Sequence, residues 1–347
     1  MTPTSAGDGT SAPARTTRAV AHLNAGPLDG PGALLDVDLD VAAPGPRDLL
    51  VEVRAVSVNP VDVKVRASRD PGGRPSVLGW DAAGVVVAVG ADVASFAVGE
   101  EVFYAGSLDR PGSDAGLQLV DERLVGHKPG SLSFAEAAAL PLTALTAWEA
   151  LFGALGLEEG AEGTLLVVGA AGGVGSVLLQ LARARTRLRL VATASRPESA
   201  QWVRDLGAHD VVDHHDLRDA VLAVVPEGVD HVVSAYSAGN AQAFADVLRV
   251  RGAVVAIDDP VDLDLMPLKQ KSQSWHWEFV FTTPLFEPAS SVQHDVLEEV
   301  SRMVDAGQLR STLTTLLSPL DAATLTKAHR LVESSATIGK VVVAVGG

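Results

Sequence analysis

The stretch Leu165-Leu-Val-Val-Gly-Ala-Ala-Gly-Gly-Val-Gly-Ser176 decides how this chain is read. An apolar run ends at Gly169, and from Gly173 the pattern turns helical to about Arg185. Strand, glycine turn and helix in that order bring backbone amides and a helix N-terminus to one point with no Cβ in the way, which is what a dinucleotide pyrophosphate needs. Gly172 permits the close approach, and Gly175 lets the helix pack on the strand. Ala170 stands where the usual fingerprint has its first glycine. The glycines alone could be a plain turn; the strand before them and the helix after them favour the nucleotide. Gly163–Ala182 carries no formal charge and has about the length of a membrane span. Its five glycines split it, and strand–turn–helix fits better.

Working outward, the next strand is expected over Leu188–Ala194 and closes in Thr193-Ala-Ser-Arg-Pro197, with no acid at its end. An Asp or Glu there would bond the ribose hydroxyls of NAD. The Ser195 hydroxyl and Arg196 guanidinium instead suit a 2′-phosphate, so NADPH is the expected cofactor; a solvated arginine in an N-cap turn is the alternative. Helices are expected over Pro197–Leu206 and Ala241–Leu248, with short strands at Asp210–Val212, His231–Ser234 and Ala253–Ile257. Strands alternating with helices imply a doubly wound parallel sheet. The first third reads as β: Leu49–Val58 alternates, Gly84–Val89 is β-branched, and Gly99–Phe103 is a turn entering a strand. Ser133 and Glu136 form a capping box ahead of an Ala-rich helix that Pro141 interrupts. Helices near His294–Ala306 and Asp321–Glu333 precede a last strand, Gly339–Val345.

The 347 residues are 47% hydrophobic, enough for a large core, and the length suggests two domains. A net charge of −16 repels phosphate backbones and anionic lipid, so neither nucleic acid nor a membrane is an expected partner. No cysteine is present, which removes disulfides, thiolate zinc ligands and a thiol nucleophile. Residues 1–17 read as a disordered tail, with no apolar signal-peptide core. The protein is expected to be cytoplasmic.

Five motifs then stand in order: Val58-Asn-Pro-Val-Asp62, Leu78-Gly-Trp-Asp-Ala-Ala-Gly84, Ala139-Leu-Pro-Leu-Thr-Ala-Leu-Thr-Ala-Trp148, Gly169-Ala-Ala-Gly-Gly-Val-Gly175 and Ile338-Gly-Lys340. Together they resemble the zinc-independent quinone oxidoreductase branch of the medium-chain dehydrogenase/reductases. Leu268–Phe279 resembles a bacterial subgroup commonly labelled zinc-type alcohol dehydrogenase-like. The resemblance implies an α/β chain: a GroES-like β domain at 18–141 and 284–347, and a Rossmann NADPH-binding domain at 142–283. It implies Asn59 and Thr146 at the nicotinamide, Gly172, Gly173 and Val174 at the pyrophosphate, and Ser195 and Arg196 at the adenosine phosphate. Tyr236 would lie along the cofactor, Gly339 and Lys340 would close the cleft, and the protein would be a homodimer.

The zinc label conflicts with the residues. Zinc-dependent members carry Gly-His-Glu where this chain has Gly79-Trp80-Asp81, their catalytic cysteine becomes Asn59 or a neighbour, and no three-ligand set is evident. Asp213-His-His-Asp216 could attract a metal but reads as a solvated loop. With no metal expected, an unactivated ketone has nothing to polarise it, whereas a quinone or α,β-unsaturated carbonyl carries its own electron sink. Hydride transfer from NADPH to such a substrate is the expected reaction. A zinc-type alcohol or aldehyde dehydrogenase and a non-catalytic NADPH-binding sensor are the alternatives. Tyr104, with Asn59 as a positioning group, is the catalytic candidate; half-buried packing is the competing role for Tyr104. Trp80, Tyr104, Phe279 and Phe281 are expected in the substrate pocket. Alternation would place Trp275, Trp277, Phe279 and Phe281 on one face of an edge strand, and His276 on the other.

Overall fold

The computed structural model describes residues 15–346. In chain order the first part contains β1 (Arg15–His22), β2 (Leu35–Val41), β3 (Asp48–Val58), α1 (Pro60–Ser68), β4 (Ser76–Val77), β5 (Ala82–Val89), β6 (Glu101–Tyr104), β7 (Leu117–Asp121) and β8 (Val125–His127). β1 pairs antiparallel with β2 and β4, while β3 is the hub of a second sheet. Most of the expected tail, 1–14, lies outside the described residues. Arg15–Thr17 correct its boundary, because they already pair with Leu39–Val41 as the start of β1.

The capping box forms as expected: Ser133 Oγ accepts from the Glu136 amide, and Glu136 accepts from the Ser133 amide. It opens α2 (Phe134–Ala138), and Pro141 starts a new helix, α3 (Pro141–Trp148), which runs on into a π-helical segment, Glu149–Ala154. This whole apolar stretch, Phe134–Ala154, has the length of a membrane span, yet 72% of its most apolar window is buried inside the protein.

There follow β9 (Thr164–Val168), α4 (Gly173–Arg185), β10 (Arg189–Thr193), α5 (Pro197–Asp205), β11 (Asp210–Val212), α6 (Leu217–Val224), β12 (Val229–Ser234), α7 (Ala241–Val247), β13 (Leu248–Ala256) and β14 (Ser274–Trp277). All six strands are parallel, in the order β11-β10-β9-β12-β13-β14, the doubly wound dinucleotide-binding arrangement. Alternation along β9 sends Leu165 and Val167 into one core and Leu166 and Val168 into another, so both faces are covered. The chain then returns through α8 (Thr282–Phe286), α9 (Val292–Asp305), β15 (Leu313–Leu317), α10 (Ala322–Glu333) and β16 (Lys340–Ala344). β16 pairs with β3, so the C-terminus completes the first domain's sheet. The expected strand over Trp275–Phe281 is shorter: β14 stops at Trp277, and Thr282 N already donates to Phe279 O (2.8 Å), a turn that ends the extended backbone.

Candidate functional site

The glycine turn lies between β9 and α4. Gly169 has φ +80°, its amide donates to Thr193 Oγ1 (3.0 Å), and its carbonyl accepts from Gly172 N (3.1 Å). A Cβ on Gly172 would meet nothing nearer than Gly169 O at 3.4 Å, so its Cα faces free space. A Cβ on Gly175 would lie 2.6 Å from Ala170 Cα and 2.7 Å from two carbonyl oxygens. Gly175 is therefore required by the packing of α4 on β9, and Gly172 by whatever occupies the cradle. The amides of Gly173, Val174 and Gly175 are those that helix geometry leaves without an internal acceptor. Tyr236, half exposed, lays its ring over the turn: a Cβ on Gly169 would sit 2.9 Å from Tyr236 Cε2. These groups fit a pyrophosphate.

At the end of β10, Ser195 and Arg196 are exposed, with Arg196 at the N-cap of α5. Its guanidinium donates to Ala336 O (2.6 Å), which ties the side chain to the segment just before Gly339 and leaves other N–H groups for an anion. Gly339, at φ +59°, donates its amide to Ala171 O (2.8 Å), so the returning tail is fastened directly to the glycine turn.

Lys340 departs from expectation. It is 4% exposed, and its stem underlies the turn, since a Cβ on Gly173 would be 2.8 Å from Lys340 Cδ and 3.0 Å from Thr143 Cγ2. Its ammonium donates to Asp81 Oδ2 (3.0 Å), Val58 O (3.1 Å) and Asn59 Oδ1. All three N–H groups are used within the protein, so the ammonium is turned inward from the cleft that Lys340 was expected to close. Asn59, 1% exposed at the N-cap of α1, is equally committed: Nδ2 donates to Asp81 Oδ2 (2.8 Å), and its backbone amide to Asp62 Oδ2 (2.7 Å). Thr146, on α3, is also buried. Asn59 and Lys340 thus form one buried polar cluster with Asp81 beneath the glycine turn.

The aromatic residues form a column running inward. Phe279 is 45% exposed, its ring stands edge-on to buried Phe281 (5.6 Å), and Phe281 stands edge-on to buried Trp80 (6.2 Å). Only Phe279 faces outward. Trp80 donates its indole N–H to Ser107 O (3.0 Å) and supports the wall from behind. Tyr104 requires correction. Its pairing with Ala82 directs the ring into the core, where it is fully buried; its hydroxyl has no partner among the described residues, and burial pushes its pKa up. A phenol so enclosed does not reach a substrate carbonyl.

Sequence reading missed the carboxylates of the Lys340 cluster. Asp81 Oδ1 accepts from Leu142 N (2.8 Å), tying β5 to α3, while Oδ2 takes Lys340 and Asn59. Burial raises its pKa and the Lys340 ammonium opposes that rise. Asp62 is pushed up to about 7 by burial, and buried Asp114, beside it, is raised well above its usual range by burial and the Asp62 charge. Burial raises all three carboxyls, and the single Lys340 ammonium opposes that rise at Asp81 and Asp62. Asp62 and Asp81 both lay in quoted motifs; the available signal was an acid embedded in an apolar run. On the surface, Asp213 Oδ1 accepts from His215 N (3.0 Å) and lies 2.7 Å from His215 Nδ1, an exposed cluster held by its own turn.

Comparison with known proteins places this geometry. The alcohol dehydrogenase GroES-like domain family matches residues 45–149, and the zinc-binding dehydrogenase family matches 206–343. A zinc-type alcohol dehydrogenase-like protein of Staphylococcus epidermidis is 35% identical over 337 residues, covering 94% of this chain and 99% of its own. The chain belongs to the medium-chain dehydrogenase/reductase superfamily. As such it is an oxidoreductase with a Rossmann domain for a nicotinamide cofactor. A 2-methylene-furan-3-one reductase of Solanum lycopersicum is 31% identical, over 89% of this chain and 75% of that one. Among solved structures, a Rhizobium etli protein described as a candidate zinc-dependent alcohol dehydrogenase superposes with a TM-score of 0.92 at 49% identity, covering 96% and 99%. Escherichia coli quinone oxidoreductase complexed with NADPH gives 0.80 at 25%, covering 94% and 99%.

The zinc in several of these names does not suit the donors of this medium-chain dehydrogenase/reductase. A catalytic zinc needs about three N, S or carboxylate ligands. Here the corresponding motif offers an indole, a carboxamide turned to an ammonium, and a carboxylate already paired with that ammonium.

Proposed function

We propose that this oxidoreductase transfers hydride from NADPH to a quinone or an α,β-unsaturated carbonyl without a metal. The observation that carries the reading is the Asn59–Asp81–Lys340 cluster. A lysine ammonium pairs with the carboxylate there, so among the described residues that motif lacks the free donor set with which a metal could polarise an unactivated ketone. Substrates that delocalise the incoming charge themselves need only orientation and a dry cleft. The names of the tomato and E. coli relatives point the same way.

Bound in the cleft, the cofactor would supply the hydride. The amides at the start of α4 would hold the pyrophosphate, and Ser195 and Arg196 the 2′-phosphate. Tyr236 would pack along the cofactor, and Gly339 would keep the turn in register. Thr146 and Asn59 would line the nicotinamide end, and Phe279, backed by Phe281 and Trp80, would exclude water on the substrate side. Hydride addition delivers both electrons, and the hydroquinone anion or enolate it leaves then needs only a proton, available from solvent. We assign residues 15–141, with β1 whole, and 284–347 to the substrate-side domain and 142–283 to the cofactor domain, in a cytoplasmic homodimer paired at the open β14 edge, where Trp277 is 57% exposed.

The test is oxidation of NADPH and NADH by purified protein with an ortho-quinone and an enone acceptor. Turnover with NADPH preferred is the expected result. Tight cofactor binding with no turnover on either acceptor would favour a sensor, and turnover only with simple alcohols or ketones would overturn the reading.

A further inference from the structure

We infer that the groove at the far end of α4 from the glycine turn is an anion site, which takes a small molecule by a phosphate or carboxylate group held between Arg183, His209 and Arg310. The groove has a volume of about 400 Å³ and runs between the last turn of α4, the turn after α5 and the residues that follow α9. From Gly173 to Arg183 the helix advances about 15 Å, so the groove and the cofactor cradle are separate places.

Two hydrogen-bond donors face one another where Arg183 enters the groove. His209 is clamped on Leu190: its amide donates to Leu190 O (2.8 Å), and its Nδ1 accepts from Leu190 N (2.9 Å). With Nδ1 accepting, the ring proton sits on Nε2. Arg183 Nη1 lies 3.2 Å from that Nε2, and a guanidinium has donors alone. Burial and the Arg183 charge lower the pKa of His209, which holds the ring neutral. The Arg183 stem is pinned over the turn, since a Cβ on Gly207 would lie 3.1 Å from its Cγ. Two N–H groups aimed at each other repel, and an oxyanion beside them satisfies both.

Arg310 supplies the second cation. Buried Gln180, one turn before Arg183 on α4, accepts from Arg310 N (2.9 Å) and donates to Arg310 O (3.3 Å). This clamp sets Arg310 beside the helix face that carries Arg183, and its guanidinium lies over the Trp202 ring (5.4 Å). Among the described residues neither guanidinium is ion-paired with a carboxylate. The one acid lining the groove, Asp205, accepts from Gln201 (2.7 Å). The arginines are not spent on the helix ends either: the Trp202, Arg204 and Met303 carbonyls accept from the Leu206, Gly207 and Gln308 amides. In a chain of net charge −16, two unpaired guanidiniums on one groove reverse the local sign and select an anion. Buried Leu206 and Leu309 give the ligand's carbon skeleton an apolar floor.

The experiment titrates inorganic phosphate and malonate into the full chain by isothermal calorimetry, with NADPH in excess and ionic strength fixed with NaCl. Saturable binding of one equivalent of either probe is expected, and the tighter of the two identifies the group the site prefers. Arg183→Gln and Arg310→Gln should each weaken it about tenfold or more, the loss of one charge-assisted contact. Arg196→Ala, at the proposed cofactor phosphate, should leave it unchanged. Nitrogen-15 NMR of the His209 ring should show the Nε2–H tautomer, with the Nε2 resonance moving as the anion saturates. An Nδ1–H tautomer, heats no larger than those of added NaCl, or undiminished affinity in both arginine variants would overturn the inference. Loss of binding in Arg196→Ala would overturn it too, by placing the anion in the cofactor cradle. None of these outcomes depends on whether the protein reduces a quinone.

Discussion

Replacing Lys340 by methionine keeps the stem beneath Gly173 and deletes the ammonium that Asp81 faces. Removing one partner of a buried ion pair costs about 3–5 kcal/mol. Asp81 retains two donors, Asn59 Nδ2 at 2.8 Å and Leu142 N at 2.8 Å, so the lower end, about 3 kcal/mol, is expected near pH 8. The loss has a ceiling, because Asp81 can accept a proton instead. That escape costs about 1.4 kcal/mol for each pH unit above an unfolded pKa of about 3.9. At about pH 5 the charge-related loss therefore cannot exceed about 1.5 kcal/mol. The sign follows from linkage. In the variant the folded-state pKa of Asp81 lies further above its unfolded value, so stability relative to wild type is kept at low pH and lost as pH rises. Urea unfolding of wild type, Lys340→Met and Lys340→Met/Asp81→Asn at about pH 5 and about pH 8 measures it. The double variant should recover at least half of the pH 8 loss. A Lys340→Met loss under about 1 kcal/mol at pH 8, or an equal loss at both pH values, would refute the pairing.

Arg196→Ala should weaken NADPH by the about 1.5–3 kcal/mol of a charge-assisted contact and leave NADH nearly unchanged; equal losses by fluorescence titration would remove the phosphate role. Gly172→Val should leave the unfolding midpoint close to wild type and abolish binding of both cofactors. Gly175→Ala, whose Cβ collides with Ala170 backbone, should lower the midpoint instead; similar phenotypes for the two would misplace the cradle. His329 is fully buried with neither ring nitrogen partnered among the described residues, and burial lowers its pKa to about 3. Its neutral form favours the fold, so stability should fall as pH drops from about 6.5 toward 3. Asp62 and Glu149 act oppositely in both proteins, so the difference between wild type and His329→Leu isolates this limb, and parallel curves would contradict it.

The Rossmann half was legible because its signals are local. The strand–turn–helix at Leu165–Arg185, the capping box at Ser133 and the Ala253–Ile257 strand need only near neighbours to be read, and α4 spans Gly173–Arg185 as expected. The glycines were legible for the same reason, since a collision at Gly175 is fixed within five residues of chain. Lys340 was not. Its ammonium is directed by Val58, Asn59 and Asp81, more than 250 residues away in sequence, and no local pattern shows that a lysine of the returning tail turns its ammonium toward a buried carboxylate. Tyr104 failed similarly: its motif placed it near the cleft, and only cross-strand pairing with Ala82 decides which face it takes.

The central claim is hydride transfer without a metal, and metal content measured on the active enzyme tests it most directly. Protein dialysed against EDTA, carrying less than about 0.1 zinc per chain where a catalytic site needs one, should reduce an ortho-quinone with NADPH at the rate of untreated protein. Activity that disappears on chelation and returns with one equivalent of zinc would contradict it.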